Sequence, residues 1–218
     1  HPMGVRRIDL SEDGTIAASC GDDKVACIWD VKTETLKAQL AAHTSKIFGV
    51  DISPSGKLVA TSSNDNTAIV WDLHGNSIAM WQGHTGPINE VKFTVDEKQI
   101  ITASDDQTLR LWSTEHAGTS VSHDFDDSNE VWRAVFSPDK TMVATAGENG
   151  VVALIDASTG KLKKQLPHDA AVLSVAWLSD GRLIAGGDRF GLWVWDRLDR
   201  TDEILKPQKK VYLSDSMV

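Results

Sequence analysis

The sequence predicts an all-β protein assembled from five copies of a four-stranded unit of about forty residues, and three observations carry the prediction. Five histidines, His1, His43, His84, His123 and His168, follow one another at intervals of 42, 41, 39 and 45 residues. A second series, Trp29, Trp71, Trp112, Ile155 and Trp195, keeps intervals of 42, 41, 43 and 40. Two markers of different chemistry sharing one period are the signature of a repeat architecture. Third, no window long enough for a stable helix sustains a 3.6-residue apolar period.

The second unit shows how each strand is signalled. Residues 47–52 are short and apolar, and Ser53-Pro54-Ser55-Gly56 turns the chain. A strand over 57–62 follows, rich in β-branched and small side chains; Asn64-Asp65-Asn66 makes a tight turn and 67–71 returns. After His74-Gly75-Asn76, a weaker outer strand runs over 77–81. The first turns of the other units are Ser11-Glu12-Asp13-Gly14, Thr94-Val95-Asp96-Glu97, Ser137-Pro138-Asp139-Lys140 and Leu178-Ser179-Asp180-Gly181. One such sheet cannot bury both of its faces, so stacking against neighbours must supply the core.

The dipeptide Trp-Asp stands at Trp29-Asp30, Trp71-Asp72 and Trp195-Asp196, and is altered to Trp112-Ser113 and Ile155-Asp156. A Gly-His pair is complete at Gly83-His84 and becomes Ala42-His43, Ser122-His123 and Pro167-His168 elsewhere. On these in-register motifs, from residue 1 to about 206, the chain resembles the WD-repeat β-propellers. The resemblance implies repeats starting near residues 1, 43, 84, 123 and 168, with 207–218 as a tail or the first strand of a further blade. The outer strand of the fifth unit is expected at 203–206. Members of the family most often close with seven blades, so five leave three readings: a closed five-bladed ring, an open arc, or a segment of a longer propeller, with an incomplete or fragment propeller favoured. Assembly with another chain is one way to complete it.

Each well-preserved unit carries a His, a hydroxyl residue and an Asp, the residue types of a catalytic triad. The sets are His1, Ser19, Asp23; His43, Thr61, Asp65; and His84, Thr102, Asp106. An active site is built once, whereas this set recurs three times, so no catalytic residue is assigned and a propeller hydrolase is disfavoured. The resemblance implies a structural network instead, in which Asp accepts from His, His meets the hydroxyl, and the hydroxyl meets the Trp indole. The fourth unit has His123 and Thr145, but Asn149 for Asp and Ile155 for Trp; the fifth has His168, but Ala185 for the hydroxyl and Asp188 or Arg189 for Asp. Neither metal-ligand spacing nor a phosphate-cradling loop before a helix is present, so no metal and no cofactor is expected.

Function is therefore expected to be non-catalytic: a protein–protein interaction scaffold, or the regulatory part of a larger signalling protein. The resemblance marks one loop face, around the channel, as the recognition surface. Its first set of contributors reads Arg6, Phe48, Asn89, Trp132 and Leu173; its second, before each tight-turn Asp, reads Asp22, Asn64, Asp105 and Glu148. Phe48 and Trp132 are candidate anchors. With the acidic residues around them, they suit a protein or peptide partner that is basic and carries an apolar anchor. The stretch between His123 and Val131 adds Asp124, Asp126, Asp127 and Glu130, without the fixed order of a calcium loop.

The formal net charge of −9 excludes general affinity for nucleic acid, which needs clustered Lys and Arg, and disfavours anionic membranes. No stretch approaches the ~20 apolar residues of a membrane span. Cys20 and Cys27 lie on the two arms of a predicted hairpin, where a disulfide is conceivable. Without a secretory signal at the N-terminus, two free buried thiols and a reducing, cytoplasmic setting are expected.

Overall fold

A computed structural model describes residues 1–115, 120–124, 130–168, 170–187, 192–195 and 209–211, with 120–124 and 209–211 described by their backbone alone. Every regular element among them is a strand, and the strands form five four-stranded antiparallel sheets. The first sheet holds β1 (Val5–Leu10), β2 (Ile16–Gly21), β3 (Ala26–Asp30) and β4 (Thr35–Leu40). The second holds β5 (Ile47–Ile52), β6 (Leu58–Ser63), β7 (Thr67–Asp72) and β8 (Ser77–Gln82). The third holds β9 (Ile88–Phe93), β10 (Gln99–Ser104), β11 (Thr108–Ser113) and β12 (Ser120–Asp124). The fourth holds β13 (Val131–Phe136), β14 (Met142–Gly147), β15 (Val151–Asp156) and β16 (Leu162–Pro167). The fifth holds β17 (Val172–Trp177), β18 (Leu183–Gly187), β19 (Leu192–Trp195) and β20 (Lys209–Val211). The fourth strand of the fifth sheet thus comes from the expected tail, pairing Val194 with Lys209 and Leu192 with Val211. Residues 203–206 lie outside the described residues.

The turns explain why these residues make hairpins. In all five first turns the fourth N–H bonds the first carbonyl, at 2.8 Å for Gly14–Ser11 and 3.0 Å for Gly181–Leu178. That fourth residue is left-handed, with φ of 69° at Gly14 and 70° at Gly56, a conformation glycine adopts without steric cost. Glu97 and Lys140 adopt it as well, at 58° and 61°, so the loop closure overrides residue preference there. The second turns are loops of three or four residues whose third residue is left-handed: Lys24, Asn66, Gln107 and Gly150, with φ between 66° and 72°.

Stacking supplies the core, in two compact units, 1–126 and 127–218. Each sheet has a near face, built from the first, fourth and sixth residues of its innermost strand, and a far face on the opposite side. In the first unit, Ala18, Ala26, Ile28 and Leu40 on the far face of sheet one meet Ile47, Val50, Val59 and Trp71 on the near face of sheet two. The joint repeats one sheet on, where Ala60, Ala68, Val70 and Trp81 meet Ile88, Val91, Phe93 and Trp112. In the second unit, Ala144, Val152, Leu154 and Leu166 meet Val172, Val175, Leu183 and Trp195. Small residues on one side and large ones on the other let the sheets approach closely.

The strand register decides the cysteines. Cys20 stands opposite Ala26, and Cys27 opposite Ser19. Consecutive strand residues point to opposite faces, so the two thiols lie on different sides of one sheet and do not face each other as the hairpin alone suggested. Both are free and buried, and burial pushes the Cys20 thiol up to about 12.

Candidate functional site

The three complete polar sets form three complete networks. In the second sheet His43 Nδ1 lies 3.0 Å from Asp65 Oδ2, His43 Nε2 lies 2.8 Å from Thr61 Oγ1, and Trp71 Nε1 donates to Thr61 Oγ1 at 2.9 Å. The third repeats this with His84, Asp106, Thr102 and Trp112 at 2.8, 2.7 and 2.8 Å. The first does so with His1, Asp23, Ser19 and Trp29 at 2.8, 2.7 and 2.8 Å. Burial lowers the His43 pKa, against the pull of Asp65, so its ring is neutral. The proton order then runs one way: the indole N–H donates to threonine, the threonine O–H to Nε2, and Nδ1–H to the carboxylate. Burial raises Asp65, but bonds from Thr67, the Thr44 N–H and His43 outweigh it and hold the carboxyl below its usual range. Asp65 therefore stays an acceptor. The hydroxyl, held between two partners at the base of a stacked sheet, is a brace rather than a nucleophile.

One further position belongs to this brace that the sequence reading passed over, a threonine two residues after the Asp. Thr67 Oγ1 donates to Asp65 at 2.6 Å, and Thr108 Oγ1 to Asp106 at 2.7 Å; their fixed offset of two from each Asp was the available signal. The Asp one residue beyond the Trp position in the first, second and fourth sheets instead organises the next turn. Asp72 accepts from the His74 and Asn76 N–H groups, and Asp156 from Ser158 and Thr159. That separate task accounts for an Asp at 156 beside a lost Trp.

The degenerate units behave differently. In the fourth, Asn149 Oδ1 takes the Val151 N–H at 2.9 Å and keeps the turn, while the His123 side chain lies outside the described residues. In the fifth, Ala185 offers no hydroxyl, and the buried Trp195 Nε1 has no hydrogen-bond partner among the described residues. His168 instead bonds the Ala170 carbonyl at 2.9 Å and lies 4.7 Å from the Trp193 ring. Asp188 and Arg189 lie outside the described residues.

Along the innermost strands of the first unit runs a line of charge, buried at Asp51 and Glu90 and half-buried at Arg7, Asp9 and Lys92. Asp9 Oδ2 accepts the Ile52 N–H at 2.8 Å, and Asp51 Oδ2 the Phe93 N–H at 2.7 Å. Each carboxylate thus grips the backbone of the following sheet. Lys92 Nζ lies 2.6 Å from Asp51, and Arg7 Nη1 reaches 2.8 Å from Glu90, two sheets away. Gly49, between them in sequence order of strands, has no room for a side chain: a Cβ would sit 2.4 Å from Ser62 Oγ and 3.2 Å from the Val91 nitrogen. The 42-residue offset between Asp9 and Asp51 was visible in the sequence, but not what the pair does.

The expected recognition residues divide between the two units. In the first unit, Arg6 Nε makes a close ion pair with Asp22, and the Arg6 guanidinium lies 5.0 Å from the Phe48 ring centroid. Lys46 Nζ is 3.4 Å from the other Asp22 oxygen. The Arg6 hydrogen bond holds the Asp22 carboxyl below its usual range. Asn89 Nδ2 donates to Asp105 at 2.5 Å, and Asn64 to Ser45 Oγ at 2.9 Å. Members of the two series thus meet at an offset of sixteen, Arg6 with Asp22 and Asn89 with Asp105. Phe48 is half-buried and Asn64 exposed. Asp22 is already engaged by two cations, one of which, Lys46, the sequence reading did not include. In the second unit, Trp132 is half-buried and its indole N–H donates to Glu130 at 3.0 Å, while Glu148 and Leu173 are exposed. Of the acidic stretch, 125–129 lie outside the described residues; no cluster able to hold a metal occurs among the described ones.

Stacked four-stranded sheets, three of them braced by a Trp–hydroxyl–His–Asp chain, define a class of repeat protein. The chain belongs to the WD40 family: the model of the WD domain, G-beta repeat, matches residues 1–30, 34–72, 75–113, 118–156 and 160–196. It is similar to apoptotic protease-activating factor 1 of Rattus norvegicus, 26% identical over 98% of this chain and 16% of that protein. It is 30% identical to Protein NEDD1 of Mus musculus over 84% of this chain and 28% of that one. To the target of rapamycin complex subunit LST8 of Saccharomyces cerevisiae it is 24% identical over 62% of this chain and 45% of that protein. The chain thus spans less than half the length of each. WD40 relatives are typically interaction scaffolds and mostly non-catalytic. No helix among the described residues is long and apolar enough to cross a membrane.

Proposed function

We propose that this chain is a non-catalytic scaffold that holds a segment of another protein on its loop face. The observation that carries the reading is the patch of Arg6, Phe48, Asp22 and Lys46, joined by the Arg6–Phe48 contact and the ion pairs on Asp22. An aromatic ring half out of water beside fixed polar groups offers an apolar anchor point with directional contacts around it. Asn64, Asn89 and Asp105 extend the patch within the first unit, and Trp132, Glu148 and Leu173 supply a second group in the other. The partner is a protein or peptide with an apolar anchor and basic flanks, drawn by a net charge of −9. Capture takes place in a reducing, cytoplasmic compartment, in keeping with two free thiols.

Partner capture followed by mass spectrometry, with unfolding measured in parallel, tests this. Phe48→Ala with Trp132→Ala should lower capture at least tenfold while moving the melting temperature little. Equal loss of stability and binding would reduce the two aromatics to packing residues. A second reading, the regulatory part of a larger signalling protein, is supported by the 16% coverage of the rat factor; flanking genomic sequence decides it.

A further inference from the structure

The loop side of the first two sheets carries three carboxylates, Asp22, Asp23 and Asp65, and three side-chain cations, Arg6, Lys24 and Lys46. Burial sorts them unequally. The Asp23 and Asp65 side chains are 7% and 10% exposed and turn inward, bonded to His1 and His43. Asp22 is 22% exposed, with Arg6 on one oxygen and Lys46 on the other. Arg6 and Lys46 keep 42% and 46% exposure, and Lys24 is exposed in the turn that Asp22 opens. The Arg6–Phe48 and Lys46–Asp22 contacts both cross the joint between the two sheets. A molecule with a formal net charge of −9 thus shows water a positive spot beside Phe48.

We propose that the partner segment carries a carboxylate next to its apolar anchor, set across Arg6 and Lys46 while the anchor lies on Phe48. The inference rests on the reading of this patch as the partner site and narrows it. The two flanks differ, one basic in keeping with the overall charge and the other acidic. From sequence, Asp22 counts as an attraction for a basic side chain, but such a side chain would meet two cations sharing one carboxylate. A carboxylate there meets the reverse, a charge-assisted contact to each cation. Arg6 is already set for it, because Asp22 and the Phe48 ring hold its guanidinium from two sides. A donor held in place loses little freedom on binding. Exposed pairs are individually weak, so the preference is moderate and falls with salt.

Two synthetic peptides test the proposal. Each has a leucine anchor with lysines on one side, and either glutamate or lysine next to the anchor on the other. Fluorescence anisotropy with the 218-residue chain should show the glutamate peptide binding about fivefold tighter at low salt, with the gap narrowing in high salt. Lys46→Gln should abolish the preference and Lys46→Glu should reverse it, with thermal unfolding confirming a native fold for each. Lys32→Glu makes the same charge change in the turn after β3, away from the patch, and should leave the order intact. The overall charge alone favours the lysine peptide, so tighter binding of that peptide would overturn the inference and leave the scaffold reading standing. A reversal by Lys32→Glu equal to that by Lys46→Glu would overturn it too, as an effect of long-range charge. Neither peptide binding, or both binding Phe48→Ala as tightly as the unsubstituted chain, would sink the scaffold reading along with it.

Discussion

Thr61 accepts the Trp71 N–H and donates to His43, so its single oxygen links strand, indole and loop. Thr61→Val keeps the shape and removes both bonds, leaving a buried indole donor and a buried ring nitrogen unmet. An unmet buried polar group costs about 1–3 kcal/mol, and denaturant unfolding should report a loss in that range. Asp65→Ala should lose a similar amount, about 1–3 kcal/mol, by stranding the His43 donor. Acid should act on the same chain of bonds. Burial lowers the folded pKa of His43, so the unfolded chain takes up a proton below its ordinary value of about 6.5 that the native state refuses. The stability contributed by the neutral ring is whole above that value and is lost as the pH falls toward the folded pKa. Asp65, held low, adds to the loss only below about pH 4. Between pH 7.5 and 5 His43 therefore favours unfolding, while Asp51, raised to about 6 by burial, favours the fold as the pH drops; His43→Gln should raise the melting temperature at pH 5 relative to that at pH 7.5, compared with the unsubstituted chain. The reverse experiment lies in the fifth sheet. Ala185→Ser offers Trp195 Nε1 the acceptor it lacks, and should raise stability by about 0.5–1.5 kcal/mol.

At the scale of strands and sheets, the sequence was most legible where a residue serves its own sheet. The turn at Asn64-Asp65-Asn66 and the strands on either side were readable because hairpins are local. The networks were readable because their members recur at fixed offsets. Contacts between sheets were not. The Asp51–Lys92 and Arg7–Glu90 pairs join residues 41 and 83 positions apart, and nothing in a strand's own alternation states which charge its neighbour holds. Breaking a buried pair leaves an uncompensated charge and costs about 3–5 kcal/mol. Glu90→Ala should therefore destabilise more than Arg7→Met with Glu90→Leu together, a comparison that denaturation of both variants provides. The cysteines make the same point in reverse: a hairpin was correctly expected, but the one-residue register that separates the sulfurs onto two faces is set by the turn between the strands.

Over the whole chain, bracing is uneven. The three sheets of the first unit carry complete networks, and the first two hold the sheet that follows by a carboxylate grip, whereas the fifth sheet has neither. Its inner strand instead receives help from the preceding sheet through Trp177 Nε1, which donates to the Val135 carbonyl at 3.3 Å. Hydrogen exchange should therefore be slower in Leu58–Ser63 than in Leu183–Gly187, and equal protection would show that stacking alone sets local stability. The repeat count and period could be read from histidines and tryptophans, and the two series of recognition residues could be proposed from the same beat. What no single position announced was that Asp22 is already bound by Arg6 and Lys46, since a surface charge is defined by its neighbours in space.

The grip of Asp51 on Phe93 also fixes an order in time. A ribosome releases the chain from its N-terminal end at about 5–20 residues per second, so Asp51 emerges roughly two to eight seconds before the residue it is destined to hold. Until then its carboxylate is hydrated and fully ionised. Burial in the finished stack pushes it up to about 6. The second sheet is thereby kept wettable on the side where it awaits the third, and surrenders that water only when the third arrives.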